Sequence, residues 1–278
     1  VPYHPEPNRW FDLAMLAYCG LITIIVLGVI AMAAFASLVK FWPYNLSLTL
    51  DSYDFSAQTA QGWSTYGNSL IMAISTAVVG TAVVFSGAYM VEKSRGFAVG
   101  RSAVQFLAMM PMAVPGMVLG LAYIFFFNHP DNPLGVLYGT MAILVICTVT
   151  HFYTVSHLTA VTALKQLDAE FESVSASLKV PVYKTFRRVT VPVCLPAILD
   201  ISVYLFINAM TTVSAVVFLY FPHTMTASIL MLFQDDNGNL GSATAIGMVI
   251  LLTSAGVRVL HWLLTRGLSR RTQAWRER

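Results

Sequence analysis

The sequence predicts an all-α membrane protein with about six transmembrane helices. Of its 278 residues, 57% are apolar and only 10% are Asp, Glu, Lys or Arg, whereas soluble domains contain about 45–50% apolar and about 25% charged residues. The mean hydropathy of +0.69 agrees with this composition. So few charges cannot cover the surface of a water-soluble protein of this size, and the high apolar content also excludes intrinsic disorder.

Six apolar segments are long enough to cross a bilayer. A hydrocarbon core about 30 Å thick requires about 20 apolar residues in a helix. The predicted spans are 13–39, 69–91, 103–127, 136–158, 195–221 and 242–265. The polar stretches between them are too short for a second domain, so residues 1–278 are expected to form a single transmembrane domain.

The distribution of positive charge predicts the orientation of the spans, because loops rich in Lys and Arg remain in the cytoplasm. If the amino terminus is cytoplasmic, every Lys and Arg except Lys40 and Arg258, 14 of the 16, lies on the cytoplasmic side. Both termini are therefore expected in the cytoplasm.

The spacing of the cysteines and the absence of a P-loop motif exclude two kinds of site. Cys19, Cys147 and Cys194 lie within apolar runs and have no Cys-x-x-Cys or Cys/His spacing, which predicts buried, unreactive thiols and no disulfide or metal site. The pattern G-x-x-x-x-G-K-S/T does not occur, so the chain has no P-loop with which to bind ATP.

The polar stretch 165–192, between the fourth and fifth spans, contains a predicted amphipathic helix. Its apolar positions recur at spacings of four, three and four, which form one stripe of an α-helix: Leu167, Phe171, Val174 and Leu178. Asp168 can cap this helix, Glu170 and Glu172 favour its first turn, and Pro181 is expected to end it. Such a helix either lies on lipid headgroups or inserts into a groove of a cytoplasmic partner.

The stretch 165–192 resembles the EAA loop of permease subunits in type I ABC importers. The residues that match the family pattern in register are Leu167, Asp168, Glu170, Ser177, Leu178, Phe186, Val189 and Pro192. Lys179 stands at the glycine of that pattern, and Ser-Val-Ser at 173–175 replaces its Glu-Ala-Ala triplet.

The likeness extends over all six predicted spans and includes the segment Pro111-Met-Ala-Val-Pro115-Gly116. Within the family, the segments 42–50, 142–180 and 208–220 are similar to 2-aminoethylphosphonate permeases. Permeases for iron(III), sulfate, thiamine and polyamines share much of the same pattern. The resemblance therefore implies a small polar cargo, with a phosphonate as the first expectation, and a bacterial inner membrane as the location.

The resemblance implies a bundle like that of the methionine permease, in which the stretch 165–192 is a coupling loop. In that family, closure of a cytoplasmic ATPase dimer on two such loops exchanges inward-open and outward-open states. ATP and magnesium would bind to the ATPase, and this chain would hold no cofactor and no catalytic residue. The residues implied in coupling are Asp168, Glu170, Phe171, Glu172, Val174, Leu178, Lys179, Phe186 and Arg187.

The resemblance also implies further partners. They are a solute-binding protein outside the cytoplasm and a second permease half, which is a second copy, a homologous subunit or a fused half. The lipid bilayer surrounds the assembly, and no nucleic acid is expected.

Spans three and five contain residues that are unusual in a membrane helix. Prolines bend span three and precede a glycine, which indicates either a packing kink or a bend that lines a path. Polar side chains on one face of span five either bond a neighbouring helix or line the same path. The candidates for a translocation path are Pro111, Pro115, Gly116, Asn208, Thr211 and Thr212.

Ionisable residues lie within predicted spans four, five and six. Asp200 and Arg258 are at similar depth, so we expect them to form a salt bridge, because intramembrane charges are normally paired. His151 and His157 are six residues apart in span four and do not share a face. We expect both to be hydrogen-bonded within the bundle.

The stretch 165–192 distinguishes three classes of function. The leading hypothesis is the permease subunit of an ABC importer, which depends on this loop. The alternative is an ion-coupled secondary transporter or channel that uses Asp200 and Arg258. An intramembrane enzyme with His151 or His157 in its site is a third class, but no nucleophile, base and orienting group occur at a recognisable spacing.

Overall fold

The computed structural model describes residues 8–93, 98–168 and 170–272, except for the side chains of Gln58, Glu172 and 267–272. Arg95, Arg276 and Arg278, which contribute to the predicted orientation, lie outside the described residues, as do the side chains of Arg270 and Arg271.

Among the described residues, three helices are long and apolar enough to cross a membrane without a break. They are α1 (Arg9–Leu38), α3 (Ser64–Lys93) and α13 (Leu240–Thr272), whose apolar part is Leu240–Arg266. α1 packs along α13, and most of its side chains are exposed, as expected of a helix at the lipid-facing edge of the bundle.

Three further spans each consist of two helical pieces that meet at a break, which gives up to six spans and confirms the predicted fold class. The first pair is α4 (Ala98–Ala113) and α5 (Gly116–Phe127), bent by 112°. The second is α6 (Met141–His151) and α7 (Tyr153–Lys165), bent by 57°. In the third, the helical stretch Val182–Val193 meets α11 (Leu195–Thr211) at 77°.

The bend that the prolines predict in span three (103–127) is thus a break between two helices. Pro111 lies inside α4, and the chain leaves the helix at Val114. The ring of Pro115 disfavours helical backbone angles at the preceding residue, and Pro115 then stands at the start of α5 with extended angles. The break thus follows from Pro115, and Pro111 is accommodated within the helix.

Two other predicted spans have different bounds. The sequence predicts span four at 136–158, but its helical pair covers 141–165, because a 3₁₀ turn (Pro133–Leu137) precedes it. The sequence predicts span five at 195–221, but α11 ends at Thr211. Residues 212–221 are not helical, and all of them except Phe218 are buried or half-buried in the bundle.

Smaller elements lie between the spans. An antiparallel hairpin, β1 (Val39–Phe41) with β2 (Asn45–Leu48), and the short α2 (Phe55–Gln58) connect α1 to α3. The helix α12 (Ala227–Asp236) packs against α13. Between α7 and α11 lie α8 (Glu170–Ser177), α9 (Val182–Thr185), a π-helical turn (Phe186–Thr190) and α10 (Val191–Val193).

The core of the bundle is formed by α3, α6, α7 and α11. One cluster includes Met72, Ile143 and Met210, and a second includes Val84 and Leu164, all fully buried. The helices approach so closely that a Cβ atom at Gly80 would be 2.8 Å from Leu205 Cδ1. Small residues permit this spacing, as is typical of membrane helices.

Two expectations about buried side chains need correction. His157 is fully buried, and neither ring nitrogen has a hydrogen-bond partner among the described residues; its ring stacks on Tyr153 at a centroid distance of 5.5 Å. The Nδ1 of His151 is also unpartnered within the described part of the chain. Cys147 and Cys194 are buried as predicted, but Cys19 is exposed, because α1 lies at the edge of the bundle.

Candidate functional site

The helix α8 begins where the sequence predicts. The carboxylate of Asp168 accepts a hydrogen bond of 3.0 Å from the backbone N–H of Glu170, and its carbonyl accepts one of 3.3 Å from Phe171. These bonds satisfy donors that would otherwise be unpaired at the start of a helix. The predicted capping role of Asp168 is confirmed.

The helix α8 ends earlier than predicted and for a different reason. Lys179 has a φ of 52°, in the left-handed region, and the N–H of Val180 bonds to the carbonyl of Ser175 at 2.9 Å. This is the Schellman arrangement, in which a left-handed residue reverses the chain after the last helical turn. Glycine is favoured at that position, and Lys179 takes its place. Pro181 follows the turn and does not end the helix.

The segments α8 and α9 enclose a cleft of about 850 Å³. The side chains of Phe171, Val174 and Leu178 line it, and Val174 and Leu178 are 57% and 70% exposed. The hydroxyl groups of Ser175 and Thr185 form a hydrogen bond that joins α8 to α9. The predicted apolar stripe is thus exposed at Val174 and Leu178.

The predicted coupling residues separate into two groups. The cleft is lined by Asp168, Glu170, Phe171, Val174, Leu178 and Lys179. Phe186 instead faces the bundle, with its ring 4.7 Å from that of Tyr89 and 5.9 Å from that of Phe85, both on α3. Arg187 is exposed outside the cleft lining, whereas the neighbouring Arg188, which the prediction omits, lines it. The side chain of Glu172 lies outside the described residues.

The break in span three packs directly on the segment that follows α11. A Cβ atom at Gly116 would be 2.5 Å from Ser214 Oγ, and one at Gly120 would be 2.9 Å from the carbonyl oxygen of Ala215. Cys147 donates from its Sγ to the same carbonyl at 3.3 Å. For Gly116, this geometry favours the small-residue packing interpretation.

The polar candidates of span five do not share one helical face. Asn208 donates to the Tyr204 carbonyl at 2.8 Å, and Thr211 donates to the Ile207 carbonyl at 3.1 Å, both within α11. Thr212 lies beyond the end of α11 in an extended conformation and is buried. Its carbonyl accepts a 2.8 Å hydrogen bond from Ser228 on α12.

The predicted salt bridge between Asp200 and Arg258 is wrong. Oδ1 of Asp200 instead lies 3.3 Å from Nε2 of His261, close enough for an ion pair when the imidazole is protonated but not in hydrogen-bond geometry. Arg258 forms no ion pair with a described carboxylate. Sequence reasoning missed His261, although a histidine inside an apolar span is the same signal that drew attention to His151.

Arg258 faces a groove of about 570 Å³ between α11, α12 and α13. The groove brings together Thr211, which the sequence predicts, with Ser228 and Ser254, which it does not. Pro111, Pro115 and Asn208 are not among its lining residues.

Within the described residues, up to six membrane spans, three of them broken, define a multi-pass membrane protein. The family model described as "Binding-protein-dependent transport system inner membrane component" matches residues 84–270. The chain belongs to this family of inner-membrane permeases.

Two relatives of this chain belong to transport systems named for different solutes. The ferric transport system permease protein FbpB of Actinobacillus pleuropneumoniae is 30% identical over 256 residues, which cover 91% of this chain but 36% of that protein. The chain thus spans about a third of the length of that relative. The molybdate/tungstate transport system permease protein WtpB of Thermococcus kodakarensis is 26% identical over 203 residues, covering 72% of this chain and 77% of that protein.

Solved structures show the same fold. A chain of a bacterial ABC transporter involved in the import of the acidic polysaccharide alginate superposes with a TM-score of 0.69 at 15% identity, covering 96% of this chain and 99% of that one. The inward-facing MetNI methionine ABC transporter matches with a TM-score of 0.51 at 16% identity, covering 76% and 93%. The predicted type I ABC permease fold is confirmed.

Proposed function

We propose that this chain is the membrane-spanning part of an ATP-driven, binding-protein-dependent importer that moves a small polar solute inward by alternating access. The coupling loop carries this proposal. Its helix α8 keeps Val174 and Leu178 exposed beside a cleft, although burying such apolar side chains is favourable. Exposed apolar patches of this kind mark contacts with a partner.

The contact of Phe186 with α3 supports a mechanical role for the loop. Phe186 packs on Phe85 and Tyr89, so a displacement of the loop reaches a helix at the centre of the bundle. Packed elements move as rigid bodies, because close-packed interiors deform little. A force applied at α8 is therefore transmitted to the spans.

The partners follow from this role. We expect a cytoplasmic ATPase dimer at the coupling loop, with ATP and magnesium bound in the ATPase, and we expect no ATP hydrolysis by this chain. A second permease half would complete the path, and a solute-binding protein would deliver the cargo from outside. Both termini would then lie on the cytoplasmic side, with the positively charged loops.

The names of the relatives guide the choice of cargo. FbpB is a ferric permease and WtpB a molybdate/tungstate permease, and neither name supports the phosphonate that the sequence alone indicates. Ferric iron is therefore the cargo to test first, ahead of molybdate and of 2-aminoethylphosphonate.

Co-purification tests the coupling role. The tagged protein is expressed with its genomic neighbours, solubilised and isolated, and bound ATPase is quantified by mass spectrometry. We expect the double variant Phe171→Asp and Leu178→Asp to lose the ATPase. Val182→Asp with Tyr183→Asp is a matched control, because these side chains are 68% and 67% exposed but lie outside the cleft. If the unaltered protein binds no ATPase, the proposal fails and a gradient-driven transporter is tested next.

A further inference from the structure

The groove between α11, α12 and α13 contains an unpaired positive charge inside the membrane. Arg258 is exposed, forms no ion pair with a described carboxylate and lies eight residues (258 to 266), about 12 Å, before Arg266, the last residue of the apolar segment. An arginine at this depth is costly if it faces lipid, and such residues normally face water or a counter-charge. We therefore expect the groove to face water or a counter-charge.

The other polar groups of the groove are hydroxyls. Ser254 stands one helical turn before Arg258, and its Oγ is buried and has no hydrogen-bond partner among the described residues. Thr211 is exposed opposite them on α11, but its hydroxyl already donates its proton to the Ile207 carbonyl. Ser228 donates to the Thr212 carbonyl and is also bonded to the hydroxyl of Thr226 at 3.1 Å, so it has no free donor to offer. The described lining contains no carboxylate, so the groove carries a formal charge of one positive unit.

We propose that this groove binds anionic oxygen atoms of the transported solute, with Arg258 as the charged ligand. This inference rests on the proposed permease function and specifies its substrate class. A guanidinium group presents a planar fork of N–H donors that matches carboxylate and phosphate oxygens in pairs. A solute that meets Arg258 therefore carries negative charge there.

A requirement for negative charge decides in which chemical form each candidate cargo could bind the groove. Molybdate and tungstate are oxyanions, and 2-aminoethylphosphonate has an anionic phosphonate group. Ferric iron fits only as a complex with anionic ligands such as citrate, because the bare trivalent cation would be repelled by Arg258. The groove thus favours an anionic iron complex over free ferric ion.

Charge-selective thiol labelling tests the groove whichever anion the cargo is. The full protein, with the exposed Cys19 replaced (Cys19→Ser), receives a probe at the groove (Thr211→Cys) and is studied in inside-out membrane vesicles. The labelling rate by an anionic methanethiosulfonate with a sulfonate group is compared with that of a cationic reagent with a trimethylammonium group. We expect Arg258→Gln to lower the anion-to-cation rate ratio by about fivefold, and Arg258→Lys to retain most of the preference.

The same labelling identifies the cargo class. Molybdate, ferric citrate and 2-aminoethylphosphonate are added separately, and the cargo is the anion that slows labelling in the protein with Arg258 but not in the Arg258→Gln variant. The proposal is overturned if the rate ratio does not change with Arg258→Gln, if neither reagent labels position 211, or if no anion protects selectively. ATPase co-purification is measured on the same preparations, so a loss of the coupling role is recognised independently of the groove.

Discussion

Gly120 lies against the backbone of Ala215, and a Cβ atom at position 120 would be 2.9 Å from the Ala215 carbonyl oxygen. One turn earlier, Gly116 lies closer still to Ser214, whose Oγ would be 2.5 Å from an added Cβ atom. These contacts join α5, the second half of the broken third span, to the irregular segment that follows α11. The second half of the broken third span and the segment after α11 therefore form one packed unit.

We expect Gly120→Ala to lower the free energy of unfolding by about 1–3 kcal/mol, because a backbone oxygen cannot move aside for the added methyl group. The midpoint of thermal unfolding of the detergent-solubilised protein measures this loss. Gly28→Ala on α1 is the control, since nothing lies within 4 Å of a Cβ atom there. Equal effects of the two substitutions would show that the contact with Ala215 is not tight.

We expect Lys179→Gly to stabilise the end of α8 by about 1 kcal/mol, because glycine adopts the left-handed conformation at φ 52° without the steric penalty of a side chain. Hydrogen exchange of the α8 amides should slow by about fivefold. Lys179→Ala separates charge from strain, since it removes the amine but keeps the Cβ atom. If Lys179→Ala slows exchange as much as Lys179→Gly, charge repulsion and not backbone strain is the cause.

The number of spans and the position of the coupling helix could be predicted because both depend on local patterns. Apolar length defines a span, and the four-three-four spacing from Leu167 to Leu178 defines one face of a helix. The end of α8 was harder to predict, because lysine at position 179 gives no sign of a left-handed turn. Pro181 is the stronger local signal, and it places the predicted helix end too far along the chain.

The breaks and the charge pairs depend on contacts between residues distant in sequence. Pro115 signals an interruption of span three, but the 112° bend belongs to an arrangement in which α5 packs on the segment after α11. From the sequence, the pairing of Asp200 with Arg258 rests only on their similar depth in the membrane, and the structure does not contain it. The rotation of α13 about its axis instead brings His261 towards α11, and neither helix specifies this rotation by itself.

We expect Phe186→Ala to leave ATPase binding intact and to weaken the transmission of movement to the bundle. Phe186 contacts α3 and does not line the cleft that carries Leu178. Loss of a half-buried aromatic side chain should also cost about 2 kcal/mol of stability. The measurements are ATPase co-purification and the stimulation of ATP hydrolysis by the loaded binding protein.

Tyr183→Ala is the matched control for Phe186→Ala, because Tyr183 is an aromatic residue of the same segment that is 67% exposed. It should change the free energy of unfolding by no more than about 0.5 kcal/mol. If Phe186→Ala abolishes ATPase binding as completely as the cleft variants do, Phe186 belongs to the docking surface and its contact with α3 is not a separate transmission step.

Double-mutant cycles should distinguish the observed partner of Asp200 from the predicted one. Asp200→Asn and His261→Gln remove the two groups that lie 3.3 Å apart, so their effects on unfolding should couple by at least about 0.5 kcal/mol. Half of the Asp200 side chain is exposed, at 52%, which keeps the coupling modest. Asp200→Asn and Arg258→Gln share no contact, so their effects should add to within about 0.5 kcal/mol. Additivity in the first cycle and coupling in the second would restore the pairing of Asp200 with Arg258 and would remove the unpaired charge on which the anion groove depends.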